Sequence, residues 1–321
     1  MSDLAGFNRR RLFRELFADK LSYWILERIR ARARARGDVP GIVVPIDDIV
    51  GLRIAATGYF ELTQIDAVKA VIENSHATVG VPLDRSGAFI DVGANIGFYS
   101  ISLARYFAAT YAFEVNPITF RILEANVHLS DVQNVQCACL GMSDQTGTTE
   151  VHLPKGGHLG WASLDPGRHK SAAVPVPARL DTLDNYLSSL RVQPEISLIK
   201  IDVEGHELQV LRGARRTLTE GNPVVLFEVI EGDAGRECIS MLRGCGYSDF
   251  FRFRRGLESA RLVPLVQALR NGLGVVVERI DPSCMEQEWL VCAVKADRQA
   301  GARLHHARQR AAADPALELR S

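Results

Sequence analysis

Ala88-Phe89-Ile90-Asp91-Val92-Gly93-Ala94-Asn95-Ile96-Gly97-Phe98-Tyr99-Ser100 reads as a buried strand that runs into a glycine turn and then a helix. Phe89, Ile90 and Val92 form the short apolar run of a parallel strand, and Gly93 and Gly97 let the backbone turn tightly and approach a ligand closely. This is the layout of a nucleotide-type cofactor site in an α/β fold. A second acid, Glu114, closes the strand-like run Ala109-Thr110-Tyr111-Ala112-Phe113. It stands about 20 residues beyond the turn, where such folds reach ribose hydroxyls.

What the turn lacks narrows the ligand. A dinucleotide fingerprint needs a glycine where Asn95 stands, and no Gly-Lys-Ser or Gly-Lys-Thr follows to make a phosphate-binding loop. Asp91, just before the turn, would repel a phosphate but suits a ligand that carries an ammonium and a sulfonium. S-adenosylmethionine is such a ligand. A nicotinamide-dependent oxidoreductase is the competing enzyme class, with Asn95 counting against it. A non-catalytic scaffold that keeps the pocket and works through its N-terminal helix is a third possibility.

Composition sets the frame. The 321 residues are 47% apolar and 24% charged, with Lys plus Arg equal to Asp plus Glu at 38 each, so no global field points to nucleic acid. The charge is uneven: residues 1–37 hold ten basic and four acidic side chains, a net of +6. Phe7, Leu12, Phe13, Leu16, Phe17, Leu21, Trp24, Ile25 and Ile29 recur there at helical spacing. A basic amphipathic helix with a linker is expected over 1–40. Packing on the body is favoured for it over contact with an anionic membrane surface. It lacks the apolar core and cleavage pattern of a secretory signal. No run of some 18 apolar residues occurs, and the six cysteines contain no Cys-x-x-Cys, so a cytoplasmic protein with reduced thiols is expected.

Residues 41–87 read as a cap region, with a helix over 64–74. From 88 to 296 strands and helices alternate, which predicts an α/β domain with a mostly parallel sheet and helices on both faces. Strands are expected at 89–92, 109–114, 135–139, 196–201 and 224–228, and helices at 97–106, 117–129, 183–190, 207–218 and 236–245. The rhythm breaks at 140–180, where Thr148–His152 and Ala173–Pro177 alternate as in a β-hairpin insertion. Late β-like pieces at 249–253, 275–279 and 289–294 suggest antiparallel pairing at one end of the sheet. An Ala/Arg-rich tail fills 297–321.

Lys200-Ile201-Asp202-Val203-Glu204-Gly205-His206-Glu207 places acids and an imidazole at the carboxyl end of a buried strand, the edge where open α/β sheets bind ligands. An internal ion pair of Lys200 with an acid, and a helix-capping role for Asp202 or Glu204, are the structural alternatives. Asp202 and Glu204 could offer oxygen ligands to magnesium, but no third partner is visible, so no metal is expected. His152, His158 and Trp161 are candidates for an acceptor pocket or for plain loop residues.

Taken in order, these segments resemble the FkbM family of S-adenosylmethionine-dependent methyltransferases. Those carrying the resemblance are Val44–Asp48, Gly58–Glu61, Phe89–Gly97, Phe113–Pro117, Leu180–Asp184, Ile199–Glu207 and Val210–Ala214. The resemblance implies a class I methyltransferase (Rossmann-like) fold, a seven-stranded sheet whose last strand is antiparallel. It implies that Gly93, Ala94, Asn95 and Gly97 lie along the methionine part of the cofactor with Asp91 nearby, and that Glu114 grips the ribose. Asn116 sits beside that acid, and Asp144 is a candidate for the adenine edge, with an Asx-turn as its alternative. The expected reaction is O-methylation of a sugar, glycolipid or secondary metabolite hydroxyl, a small-molecule or glycan acceptor. Its base would be Asp202, Glu204 or His206; His206 has the best-matched pKa and Asp202 the better placement.

Overall fold

The computed structural model describes residues 62–154, 162–164, 173–229, 233–255, 275–281 and 288–295. The expected basic helix, the linker, the β-like pieces before residue 62, His158, Trp161 and the tail lie outside them. The described elements are α1 (Leu62–Val79), β1 (Ala88–Val92), α2 (Phe98–Leu103), β2 (Ala109–Glu114), α3 (Pro117–Leu129), β3 (Val135–Cys139) and β4 (Gly141–Met142). They continue with β5 (Gly147–Pro154), β6 (Ala173–Asp181), α4 (Leu183–Ser189), β7 (Ile196–Ile201), α5 (Glu207–Gly213) and α6 (Arg215–Glu220). Last come β8 (Val224–Val229), α7 (Asp233–Gly244), β9 (Asp249–Arg255), β10 (Val275–Ile280) and β11 (Glu288–Val294).

One sheet has the order β10-β9-β11-β8-β7-β1-β2-β3. Its five central and outer strands β8, β7, β1, β2 and β3 run parallel, while β11 pairs antiparallel with both β8 and β9. The final strand is antiparallel, as the resemblance implies. The sheet has eight strands rather than seven, because β10 pairs antiparallel with β9 from Val275–Arg255 to Ile280–Phe250. The chain moves outward from β1 to β3 and then returns to β7 on the other side of β1. That reversal opens a crevice at the carboxyl ends of β1 and β7, the place where open α/β sheets hold ligands.

Strand residues alternate between two buried faces. Ile90, Val92, Phe113, Ile199, Ile201 and Phe227 pack with Val210, Leu211, Leu218 and Leu242 of α5, α6 and α7. Phe89, Leu198, Leu226 and Cys292 pack with Ile65, Val68, Val71 and Ile72 of α1 and with Leu103 of α2. The helix expected over 64–74 thus runs from Leu62 to Val79, with a non-helical Asn74 inside it (φ −132°), and covers one face of the sheet. Beyond the kink, the Ser75 hydroxyl accepts the Leu83 amide at 2.8 Å.

The break at 140–180 is a second sheet, ordered β4-β6-β5, whose antiparallel β5–β6 pair runs from Gly147–Leu180 to Pro154–Ala173. The single helix expected over 207–218 is two helices parted at Ala214. The Asp184 carboxylate of α4 takes the Arg216 and Thr217 amides at 2.7 and 2.9 Å, starting a new helix where the old one would have continued. No described helix is long and apolar enough to cross a membrane.

Candidate active site

The end of β1 is knotted to its neighbours through the backbone. The Gly93 and Ala94 amides both donate to the Phe113 carbonyl of β2, at 3.0 and 2.9 Å, and the Asp202 amide after β7 donates to the Val92 carbonyl at 3.1 Å. Gly93 has φ +77°, and a Cβ there would lie 1.8 Å from the Asp202 carbonyl oxygen. Only glycine lets these two strand ends meet so closely. Asn95 follows at φ +51° and Gly97 at φ +91°, where α2 begins. From α3 the fully buried Asn126 donates to the Ile96 carbonyl at 2.8 Å and fixes the far side of the turn.

Glu114 ends β2 beneath this turn. One carboxylate oxygen accepts the Asn95 amide at 2.9 Å and the other accepts the Asn116 amide at 2.8 Å. Burial pushes its pKa up to about 7, against the pull of those two amides. Each carboxylate oxygen keeps lone-pair capacity beyond one amide. Beside it, the buried Asn95 Oδ1 has no hydrogen-bond partner. Acceptors left open in this way fit a ligand that brings donors, such as ribose hydroxyls or an ammonium, better than one that brings phosphate. Asn116 is fully buried and caps α3: its Oδ1 accepts the Ile118 amide at 3.0 Å and its Nδ2 donates to Thr119 at 2.7 Å.

Asp91 lies below the surface of the site with no exposed area. Its Oδ2 accepts the Ser100 hydroxyl at 2.6 Å, and its Oδ1 faces Lys200 Nζ at 3.6 Å. Lys200, paired with Asp91 across the β1–β7 register, also lies 3.2 Å from Asp202 Oδ2 and 4.6 Å from the Tyr99 ring centre. The internal ion pair weighed for Lys200 is therefore present. Burial raises the Asp91 pKa, and the neighbouring ammonium holds it back. Asp91 is tied through Lys200 to Asp202, and its own oxygens are not on the surface.

The 202–207 loop forms the opposite wall. Glu204 sits at φ +55°, and Glu207, which is 5% exposed, accepts the Val203 and Gly205 amides at 3.3 and 3.1 Å. Glu207 is thus the brace of the loop. The second sheet reaches the same loop: Ser163, bridged to His152, donates to the Glu204 carbonyl at 3.4 Å. Just after β4, Ser143 Oγ lies 2.9 Å from His206 Nε2 and donates to the exposed Asp144 at 3.3 Å. Burial lowers the His206 pKa and Asp144 partly offsets it, which leaves a neutral imidazole at physiological pH.

The structure gathers Gly93, Ala94, Asn95, Gly97, Glu114, Asp202, Glu204, His206 and Asp144 around the carboxyl edge. Asp91 and Asn116 stand behind that first layer. Ser100, Asn126, Ser143, Ser163 and Tyr99 support the site without having been singled out from sequence. Ser143 adjoined a candidate, and Ser100 lay on the quoted turn, but neither carries a spacing signal of its own. Among the described residues no group of three His, Cys, Asp or Glu side chains could hold a metal ion.

A family model described as the methyltransferase FkbM domain matches residues 91–248. Methyltransferase sdnD of Sordaria araneosa is 28% identical over 190 residues, 48% of this chain and 71% of that protein. The hexuronic acid methyltransferase AglP of Haloferax volcanii is 32% identical over 154 residues, 45% of this chain and 55% of that protein. A solved FkbM methyltransferase from Methylobacillus flagellatus shares 14% identity, covering 75% of this chain and 52% of that one, with a TM-score of 0.40. This chain therefore spans about half the length of those last two proteins.

Proposed function

Through the domain at residues 91–248 this chain belongs to the FkbM family of methyltransferases, and on that premise we propose that it uses S-adenosylmethionine to methylate a hydroxyl of a sugar, glycolipid or secondary metabolite. The observation that carries the cofactor assignment is the Glu114 carboxylate, held under the glycine turn by the Asn95 and Asn116 amides beside the open Asn95 Oδ1 acceptor. These acceptors would hold the ribose, with Gly93 to Gly97 along the methionine part and Asp144 toward the adenine. When bound, S-adenosylmethionine supplies an electrophilic methyl group on a positively charged sulfur.

The chain's own residues do the rest. The crevice between the turn and the 202–207 loop would hold the acceptor against the donor, which makes a bimolecular step effectively unimolecular. His206 is the base of choice. Asp202 is already engaged by the Lys200 ammonium at 3.2 Å, whereas His206 is half-buried and neutral. The Glu207 brace and the Ser143 and Ser163 contacts keep the loop in place, so little reorganisation is needed at the moment of proton transfer.

The similarity to AglP, a hexuronic acid methyltransferase, makes uronic acids the first acceptors to try. Calorimetry should show S-adenosylmethionine binding to the wild-type chain and no heat from NAD. Radiolabelled methyl transfer to glucuronic acid and to neutral sugars would then define the acceptor. Binding of NAD in place of S-adenosylmethionine would sink the reading.

A further inference from the structure

We propose that Ser143 is a positioning residue that holds His206 in the tautomer protonated on Nε2, leaving Nδ1 as the atom that accepts the hydroxyl proton. The argument is a count of protons. A serine hydroxyl owns one, and Asp144 Oδ1, 3.3 Å away and able only to accept when ionised, is placed to take it. The oxygen of the same hydroxyl lies 2.9 Å from His206 Nε2. With its proton given to a carboxylate, Ser143 can only accept at that contact, so Nε2 must carry the hydrogen. In a neutral imidazole the second nitrogen is then unprotonated. The reverse arrangement, with Ser143 donating to Nε2, would turn the hydroxyl proton away from the charged acceptor beside it.

The contact is built from both ends. Ser143 is 1% exposed, and its amide donates to the Asp181 carbonyl at 2.9 Å. Its carbonyl oxygen lies where a Cβ on Gly213 would be, 1.9 Å away, so α5 packs directly on the Ser143 backbone. His206 is the N-cap of that same helix. One helix of seven residues therefore fixes the imidazole at its start and the serine at its end. Burial keeps the ring neutral, the only charge state in which a tautomer is defined.

The inference rests on His206 being the base, yet the tautomer can be read without turnover. Full-length protein labelled with nitrogen-15 histidine would be examined by long-range proton–nitrogen correlation at neutral pH. The His206 signals, one set among eight histidines, are those missing from a His206→Gln variant. The expected result is a pyrrole-like Nε2 and a pyridine-like Nδ1 in the wild type. Ser143→Ala should turn this into a mixture of tautomers, and Ser143→Thr should restore it. A pyrrole-like Nδ1 in the wild type, or an unchanged spectrum in Ser143→Ala, overturns the proposal. Should Ser143→Ala fail to fold, Asp144→Asn on the exposed partner serves instead: it removes the charge that draws the hydroxyl proton, and an unmoved tautomer there also overturns it. If the expected tautomer is found but calorimetry shows no S-adenosylmethionine binding, the methyl-transfer reading falls and the tautomer assignment stands.

Discussion

At the scale of single residues, two buried charges govern what the site can do. Glu114 is 7% exposed with a pKa of about 7, raised from 4.5 by burial. Between those values the folded chain holds a proton that the unfolded chain has released. The stability tied to this group is therefore full below the lower value and is lost as pH rises through about 7. Ribose hydroxyls donate to the ionised form, so proposed cofactor affinity should move the other way, weakening by up to about tenfold per pH unit below the pKa. Glu114→Gln should bind weakly and show no such slope; calorimetry across neutral pH that finds a flat wild-type profile would remove Glu114 from the ribose. The second charge is Lys200, set between Asp91 and Asp202. Lys200→Met should cost about 3–5 kcal/mol in urea denaturation because it leaves Asp91 buried beside no cation, and Asp91→Asn in the same chain should restore most of the loss. Simply additive costs would show that the two groups do not stabilise one another. Much of this was legible in the sequence, since charges at the end of an apolar strand demand a partner. The identity of the partners was less so. Ser100 meets Asp91 from nine residues away and Asn126 meets Ile96 from thirty, and both contacts come from packing α2 and α3 on the sheet.

Among elements, the site is two strand–loop–helix units laid side by side, β1 into α2 and β7 into α5, joined where Gly93 meets the Asp202 carbonyl. Local pattern was enough to read both units, because apolar runs of strand length followed by glycine or acid punctuate the chain within a few residues. The β5–β6 hairpin was legible for the same reason, from its alternation. The break at Ala214 was not: Val210, Leu211, Ala214 and Leu218 continue one apolar stripe, and the Asp184 carboxylate that restarts the helix sits more than thirty residues upstream. Gly213 ends α5 against the Ser143 carbonyl, so Gly213→Ala forces either α5 or the β4 segment to move. A loss of about 1–3 kcal/mol is expected, as for overpacking in a close-packed interior, with a disturbed His206 environment in the same spectra. Gly244→Ala at the end of α7 has open space around its Cβ and should leave stability unchanged or slightly improved. Equal behaviour of the two variants would mean that the helix does not depend on the close approach.

For the whole molecule, the question is whether α1 is a separate lid or part of the body. From sequence, residues 41–87 read as a cap over the core domain, with a helix over 64–74. Which strands it would cover depends on the order of the sheet, and that order does not follow chain order: β11, last in the described chain, inserts between β8 and β9 and brings Leu290, Cys292 and Val294 under α1. The helix also lies against β9 and β10, so the eighth strand and α1 cover one another. Ile65, Val68, Val71 and Ile72 are all 2% exposed or less, sharing a cluster with Phe89 of β1, the strand that feeds the glycine turn. A helix buried to that degree belongs to the same cooperative unit as the sheet. Ile72→Ala should therefore cost about 2–5 kcal/mol, the range for truncating a buried aliphatic side chain. The loss should appear as one shifted transition, with helical circular dichroism and S-adenosylmethionine binding failing together as urea is raised. If helix signal disappears first while the cofactor stays bound, α1 is a detachable layer and the body of the fold begins at β1.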